Sequence, residues 1–158
     1  MLRRSVETTT QSGPLQGKFR KRLVSRRLLQ FTNVLLALWI IFRAGLTLLE
    51  GTENPLYGSA GVPALPVLDS NLRFLGGVGI GLAVVLLWIT GSIERQTSLF
   101  RAVWGCRFVG GIGRLISICA VGTPPLPILV FTVSEVFIIP LLILWQWNIA
   151  RGAERAST

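Results

Sequence analysis

Five ionisable residues stand inside long apolar stretches of the sequence. They are Arg43, Arg73, Arg107, Arg114 and Glu135. A charged side chain at membrane depth is costly and is usually paired or placed beside a polar cavity, so each of these residues is a candidate for function or for a structural ion pair. Arginine would contribute one kind of chemistry here, because its planar N–H donors bind carbonyl, carboxylate or phosphate oxygens.

The positions of the charged residues predict one polar pocket in the half of the membrane away from the basic chain ends. Arg114 and Glu135 fall near the middle of their stretches and are expected to pair. Arg43 and Glu50 share a helical face, and Arg73 opens its stretch at the same end. We therefore expect one pocket to be surrounded by the side chains of Arg43, Glu50, Arg73, Arg114 and Glu135.

Two interpretations of this pocket stay open. The charges could form buried ion pairs and hydrogen bonds that fix the alignment of the helices, with no ligand. Alternatively, because the arginines outnumber the carboxylates, the pocket could bind an anionic or carbonyl-bearing ligand such as a quinone or a lipid headgroup. Neither interpretation assigns a catalytic residue.

The sequence indicates no metal or redox centre. It contains no histidine, which removes the usual haem ligand and argues against zinc, copper or non-haem iron. Cys106 and Cys119 lie in one apolar stretch, form no CxxC motif and are too far apart along a helix to meet. We expect no metal and no cofactor other than a bound quinone or lipid, which favours a role other than that of an enzyme.

Four apolar stretches must position these residues. The chain is 51% hydrophobic, and each stretch has the roughly 20 residues that a helix needs to cross a bilayer. Short joints separate them, which implies antiparallel neighbours. The predicted spans lie near residues 28–49, 72–90, 99–121 and 126–147.

The predicted fold is all-α, a four-transmembrane-helix antiparallel bundle. It occupies residues 28–148, after a basic and partly disordered arm over residues 1–27 that could contain an interfacial helix. A polar tail over residues 149–158 follows. Glycines in the second and third spans are predicted to let helices approach closely: Gly76, Gly77, Gly81, Gly110, Gly111 and Gly113.

The distribution of charge predicts the orientation. The net charge is +9, and the basic residues outside the spans gather in the arm, the second joint and the tail, whereas the first and third joints contain no Lys or Arg. The positive-inside rule therefore places both chain ends on the cytoplasmic side. The arm could serve only as an orientation signal, or it could dock on an anionic membrane surface or a partner through Lys18, Arg20, Lys21, Arg22, Arg26 and Arg27. Nucleic acid is not an expected partner, because the basic run has one interleaved aromatic residue and adjoins a span.

Four short motifs carry a family resemblance: Asn-Leu-Arg-Phe-Leu-Gly-Gly at residues 71–77, Gly113-Arg114, Gly-Thr-Pro-Pro at residues 122–125, and Glu135. With these motifs the chain resembles, over roughly residues 30–148, a family of short bacterial four-helix membrane proteins known as a domain of unknown function (DUF4345). That family is similar in layout to the DoxX-like membrane proteins, some of which are associated with quinone-linked sulfur oxidation. The resemblance implies the four-helix fold and brings no catalytic mechanism.

Three functions are compatible with the sequence. The first is a non-catalytic accessory or assembly subunit that packs against a larger respiratory or photosynthetic complex, with membrane lipids and other membrane subunits as partners. The second is a quinone- or lipid-binding subunit of a membrane oxidoreductase, and the third is a small oligomeric transporter. The expected location is a bacterial plasma membrane, or a thylakoid membrane in a cyanobacterium.

Overall fold

Four long helices make up the protein. The computed structural model describes residues 13–57 and 63–157, and this part of the chain contains helices and turns but no strand. The helices are α1 (Gly13–Glu50), α2 (Pro66–Ile89), α3 (Thr97–Val121) and α4 (Leu126–Ser157). Each includes a segment long and apolar enough to cross a membrane. The prediction of an all-α bundle with four membrane spans is confirmed.

The end helices extend beyond the predicted spans. Helix α1 begins at Gly13 and runs without interruption through the basic segment into the first span, and α4 continues to Ser157. The basic segment from residue 13 onward is therefore part of the first membrane helix. Residues 1–12 and Thr158, to which composition assigns a disordered arm and the end of a polar tail, lie outside the described residues.

The bundle consists of two helical hairpins. Helix α1 packs along α2 and α3 packs along α4, whereas α2 and α3 contact each other only sparsely. The first hairpin is close-packed at Gly76, where a Cβ atom would lie 2.7 Å from the Ala44 carbonyl oxygen and the Leu48 nitrogen. The second is close-packed at Gly111, where a Cβ atom would lie 2.9 Å from the Cβ of Glu135.

Only two of the six glycines predicted to bring helices together do so. Gly77, Gly81, Gly110 and Gly113 have open space where a side chain would stand. Their placement differs from the prediction because composition does not fix the rotation of a helix about its axis, and most of these residues face lipid or a cavity. Gly79, which was not among the six, lies against Ala44.

Buried polar side chains join three helices in the basic half of the bundle. Asn33 of α1 is 1% exposed and donates to the Leu86 carbonyl oxygen at 3.0 Å and to Thr90 Oγ1 at 2.9 Å. Its own oxygen accepts from Trp104 Nε1 of α3 at 3.2 Å. Gln146 of α4 is fully buried and donates to the Ile93 carbonyl oxygen at 3.1 Å. These bonds fix the helices around an apolar core that includes Leu29, Leu86, Ile89, Ile93 and Phe100.

The basic segments meet at one end of the bundle. Arg26 of α1 forms a salt bridge with Glu94 of the α2–α3 joint at 2.9 Å. Arg22 donates to the carbonyl oxygen of Gly152 near the end of α4 at 2.8 Å. The described part of the arm, the second joint and the end of α4 therefore lie at the same end of the bundle.

We predict that Gly76→Ala lowers the stability of the protein, because the new methyl group would press on backbone atoms of α1 that cannot move aside independently. Overpacking of this kind costs about 1–3 kcal/mol. The measurement is thermal unfolding of the purified protein in a mild detergent.

Gly77→Ala is the matched control, since it makes the same change one residue along α2 into open space. Its unfolding temperature is expected to equal or slightly exceed that of the wild type, because alanine favours a helix over glycine. Equal losses in the two variants would contradict the close approach of α1 and α2 at Gly76.

Candidate functional site

The carboxylate of Glu135 is bound by two arginines. Arg107 Nη2 lies 2.7 Å from Oε1, and Arg114 Nε lies 3.1 Å from Oε2. The two arginines are two helical turns apart on α3 and share the face that packs on α4. Gly111 stands between them and lets α3 come close to the backbone of Glu135. Both oxygens of the carboxylate are therefore occupied within the α3–α4 hairpin.

A third arginine lies beside this pair without a carboxylate of its own. The guanidinium of Arg43 in α1 stands over the ring of Phe131, with Cζ 3.4 Å from the ring centroid. Its Nε atom is buried and has no hydrogen-bond partner. Among the described residues no acidic group comes within salt-bridge distance of Arg43. The cluster holds three arginines and one glutamate, so an excess positive charge remains.

All four charged side chains border one cavity of about 650 Å³. The cavity lies between α1, α2 and α3, where the two hairpins diverge. Its volume falls in the range of about 300–1,000 Å³ that small-molecule sites occupy. The wall is mostly apolar and includes Ile40, Leu72, Leu75, Val78 and Leu82, while the polar residues near its end away from the basic segments are Thr47, Tyr57 and Ser117.

Glycine creates part of this space. Gly110 and Gly113 of α3 line the cavity and have no atom of a neighbouring element near the position of a Cβ. Cys106 also lines the cavity, whereas Cys119 is exposed elsewhere on α3. Larger residues at positions 110 and 113 would reduce the volume without disturbing helix packing.

The structure brings together three of the five residues that were expected at the pocket. Arg43, Arg114 and Glu135 line the cavity. Arg107, an intramembrane candidate that was not expected at the pocket, completes the cluster. Arg107 lies two helical turns before Arg114 on one face, and this spacing is the signal in the sequence that could have placed it there.

Arg73 and Glu50 lie away from the cluster, which corrects the expectation of a single pocket. Arg73 bonds to Asp69 at 2.7 Å and donates to the Leu48 and Leu49 carbonyl oxygens at 3.0 and 2.7 Å. The last carbonyls of α1 have no partner within their own helix, and Arg73 is close enough to supply one. Glu50 ends α1 about 10 Å along the helix axis from Arg43, beyond the reach of its side chain.

The Asp69–Arg73 pair belongs to a clasp that joins α1 to α2. Asp69 Oδ1 accepts from the backbone nitrogen of Thr52 at 3.1 Å. Gly51 has a φ of +58° in this turn, and a Cβ there would collide with the Asp69 carboxylate. A residue other than glycine is therefore strained at this position for two reasons, the backbone conformation and the lack of space beside Asp69.

The basic residues of the arm have different surroundings. Arg22 and Arg26 are bound to Gly152 and Glu94 within the protein, whereas Arg20 and Arg27 are exposed. The side chains of Lys18 and Lys21 lie outside those described.

No group of three or more His, Cys, Asp or Glu side chains in the described ranges is close enough to hold a metal ion.

The helices and their apolar surfaces define the class of this protein. Large apolar side chains cover the outside of the bundle, including Phe74, Trp88, Val109 and Phe137, each at least 65% exposed. A surface of this kind is typical of contact with lipid, and with the four candidate spans it makes the protein a small multi-pass membrane protein.

Comparison with known proteins gives the family. The sequence model described as "Domain of unknown function (DUF4345)" matches residues 28–146, so the chain belongs to this family. The resemblance found in the motifs is confirmed. Neither a curated protein nor a solved structure matches the chain significantly.

We predict that Glu135→Gln destabilises the protein more than Arg107→Gln does, and that Arg114→Gln has the smallest effect. Loss of the carboxylate leaves three arginines together, whereas loss of either α3 arginine leaves Glu135 with the other one. Removing one partner of a buried ion pair costs about 3–5 kcal/mol, and Arg114 is the more exposed of the two arginines. Thermal and denaturant unfolding in detergent would measure these losses.

Double-mutant cycles separate the two pairs. The coupling between Arg107 and Glu135 should exceed the coupling between Arg114 and Glu135, because the Arg107 bond is shorter and more buried. Strictly additive losses in both cycles would contradict the described pairing.

Proposed function

We propose that this protein binds, inside the membrane, a small amphiphile whose oxygen atoms contact the arginine cluster and whose apolar part fills the cavity. A quinone and a lipid both have this chemistry. The observation that carries the proposal is the position of Arg43, a half-buried arginine that borders a cavity of about 650 Å³. Its Nε atom is buried without a hydrogen-bond partner, and no carboxylate among the described residues forms a salt bridge with it.

The cavity suits an amphiphile because its two kinds of lining are separated. Arg43, Arg107 and Arg114 offer donors, and aliphatic side chains of α2 form the opposite wall. Such a division would hold a polar head at the arginines and an apolar tail among the side chains of α2. A site of this type supports the quinone- or lipid-binding function inferred from the sequence, with the α3–α4 hairpin as the polar side.

An accessory or assembly role is a second candidate, and a different feature favours it. The arm and the end of α4 continue past the α2–α3 joint, held together by the bond from Arg22 to Gly152. A groove of about 380 Å³ lies beside this extension and is lined by Leu23, Trp145 and Ile149 among others. We propose that any larger membrane complex would contact the protein here, beside the exposed Arg20 and Arg27.

The distribution of charge supports a proposal about the orientation. We propose that the end of the bundle that carries Arg22, Arg26 and the α2–α3 joint is cytoplasmic, since basic residues concentrate there. The arginine cluster then lies near the middle of the bilayer, with Arg43 and Arg114 toward the side that faces away from the cytoplasm. The proposed location is a bacterial plasma membrane, or a thylakoid membrane in a cyanobacterium.

The test of ligand binding is the analysis of molecules that purify with the protein. After purification in a mild detergent, organic extraction and mass spectrometry should detect about one equivalent of an amphiphile per wild-type chain. Gly113→Leu should reduce that amount severalfold, because the leucine side chain would occupy the cavity.

Gly77→Leu is the control, since it adds the same side chain to open space outside the cavity. It should retain the wild-type amount of bound amphiphile. Equal amounts in all three proteins would contradict binding in this cavity. Co-migration of the wild type with a large complex, without bound amphiphile, would favour the accessory role instead.

A further inference from the structure

The excess positive charge of the arginine cluster indicates which of the ligands allowed by the proposed function the site prefers. Each oxygen of Glu135 already forms a salt bridge with one α3 arginine. The remaining acidic residues near this half of the bundle are used elsewhere or lie outside the cavity, as Asp69 and Glu50 do. An empty site, or a site with a neutral quinone, would keep the excess positive charge inside a medium of low dielectric constant.

The three arginines of the cluster border one space and keep free donors. Arg107 uses one Nη atom and Arg114 uses its Nε atom to bind Glu135, so each keeps N–H groups for another acceptor. Arg43 contributes its guanidinium from the opposite helix, and all three side chains border the same space. Planar arginine groups with free donors beside one cavity can bind a carboxylate or a phosphate.

The walls of the cavity indicate the route of entry. At the end away from the basic segments, the turn over residues 51–57 lies across the helices and is held by a bond from Asn54 to Thr47 at 3.1 Å and by the Thr52–Asp69 contact. Between α2 and α3, by contrast, the helices make few contacts, and the partly exposed Val78 and Gly110 form the rim. This rim faces the lipid, so an acyl chain can enter without crossing water.

We propose that the site binds an anionic amphiphile, with a carboxylate or phosphate held by Arg43, Arg107 and Arg114 and an acyl chain that enters from the bilayer between α2 and α3. This inference rests on the proposed function and narrows it, because it excludes neutral quinones and neutral lipids as the preferred ligands. The head and the tail each have a separate structural basis, so each can be tested with its own probe.

The experiment is native mass spectrometry of the purified protein in a neutral detergent with four probes at equal concentration. Dodecyl phosphate has both the anion and the tail, and dodecanol has the same tail without the charge. Decylubiquinone has a tail with a neutral carbonyl head. Inorganic phosphate is the anion alone. Dodecyl phosphate should bind at least about tenfold more tightly than the other three, as expected for charge-assisted hydrogen bonds to the head.

Two pairs of variants locate the head and the entrance. Arg43→Gln should weaken the binding of dodecyl phosphate about tenfold, whereas Arg27→Gln, which removes an exposed arginine of α1 outside the cavity, should not. Val78→Trp at the rim should slow the binding of dodecyl phosphate, and Val84→Trp, on the same helix outside the cavity, should not.

The outcomes separate this inference from the proposed function. If dodecanol and decylubiquinone bind as well as dodecyl phosphate, the anion preference is overturned and the amphiphile site stands. Equal binding of inorganic phosphate would overturn the role of the tail, and equal rates for the two tryptophan variants would overturn entry between α2 and α3. If no probe with a tail binds, both the inference and the proposed function are overturned.

Discussion

Among the described residues, Glu135 contributes the only negative charge to a cluster with three arginines, and the packing of α3 on α4 beside the cavity depends on this carboxylate. In a low-dielectric medium a cation needs a partner, and a bond between two helices supplies one while it fixes their alignment. Glu135 does this for Arg107 and Arg114, and Gly111 allows the required approach of α3 to α4. The guanidinium of Arg43 stands over the ring of Phe131 and has no carboxylate partner among the described residues, so its charge is available to a ligand.

The two ends of the bundle are held by different interactions, and the cavity lies between these two sets of contacts. At the basic end, Asn33 and Gln146 join helices through buried hydrogen bonds, and the salt bridge of Arg26 to Glu94 adds a further link. At the opposite end, Asp69 and Arg73 hold the end of α1 against α2. With both ends fixed, α2 and α3 can remain apart along the cavity without loss of the overall fold.

The sequence was enough to predict the four spans and the pairing of Arg114 with Glu135, because hydropathy and depth along a helix are properties of the sequence itself. The rotation of each helix about its own axis, which decides which residues face a neighbouring helix, cannot be predicted from hydropathy and depth. For this reason Gly77 and Gly81 were expected at contacts and instead meet open space. Arg73 was expected at the pocket, but its side chain binds Asp69 and a backbone carbonyl of α1 instead. Asn33 lacks a charge, so its role as a link between three helices became visible only in the fold.

The central claim, a cavity beside an incompletely neutralised arginine cluster, can be tested on the unmodified chain with its own two cysteines. Cys106 lines the cavity and Cys119 does not. The measurement is the rate of alkylation of each cysteine by N-ethylmaleimide, followed by peptide mass spectrometry, with and without saturating dodecyl phosphate. The account predicts that the probe slows the reaction of Cys106 severalfold and leaves Cys119 unchanged. Equal effects on both cysteines, or no effect on Cys106, would contradict it.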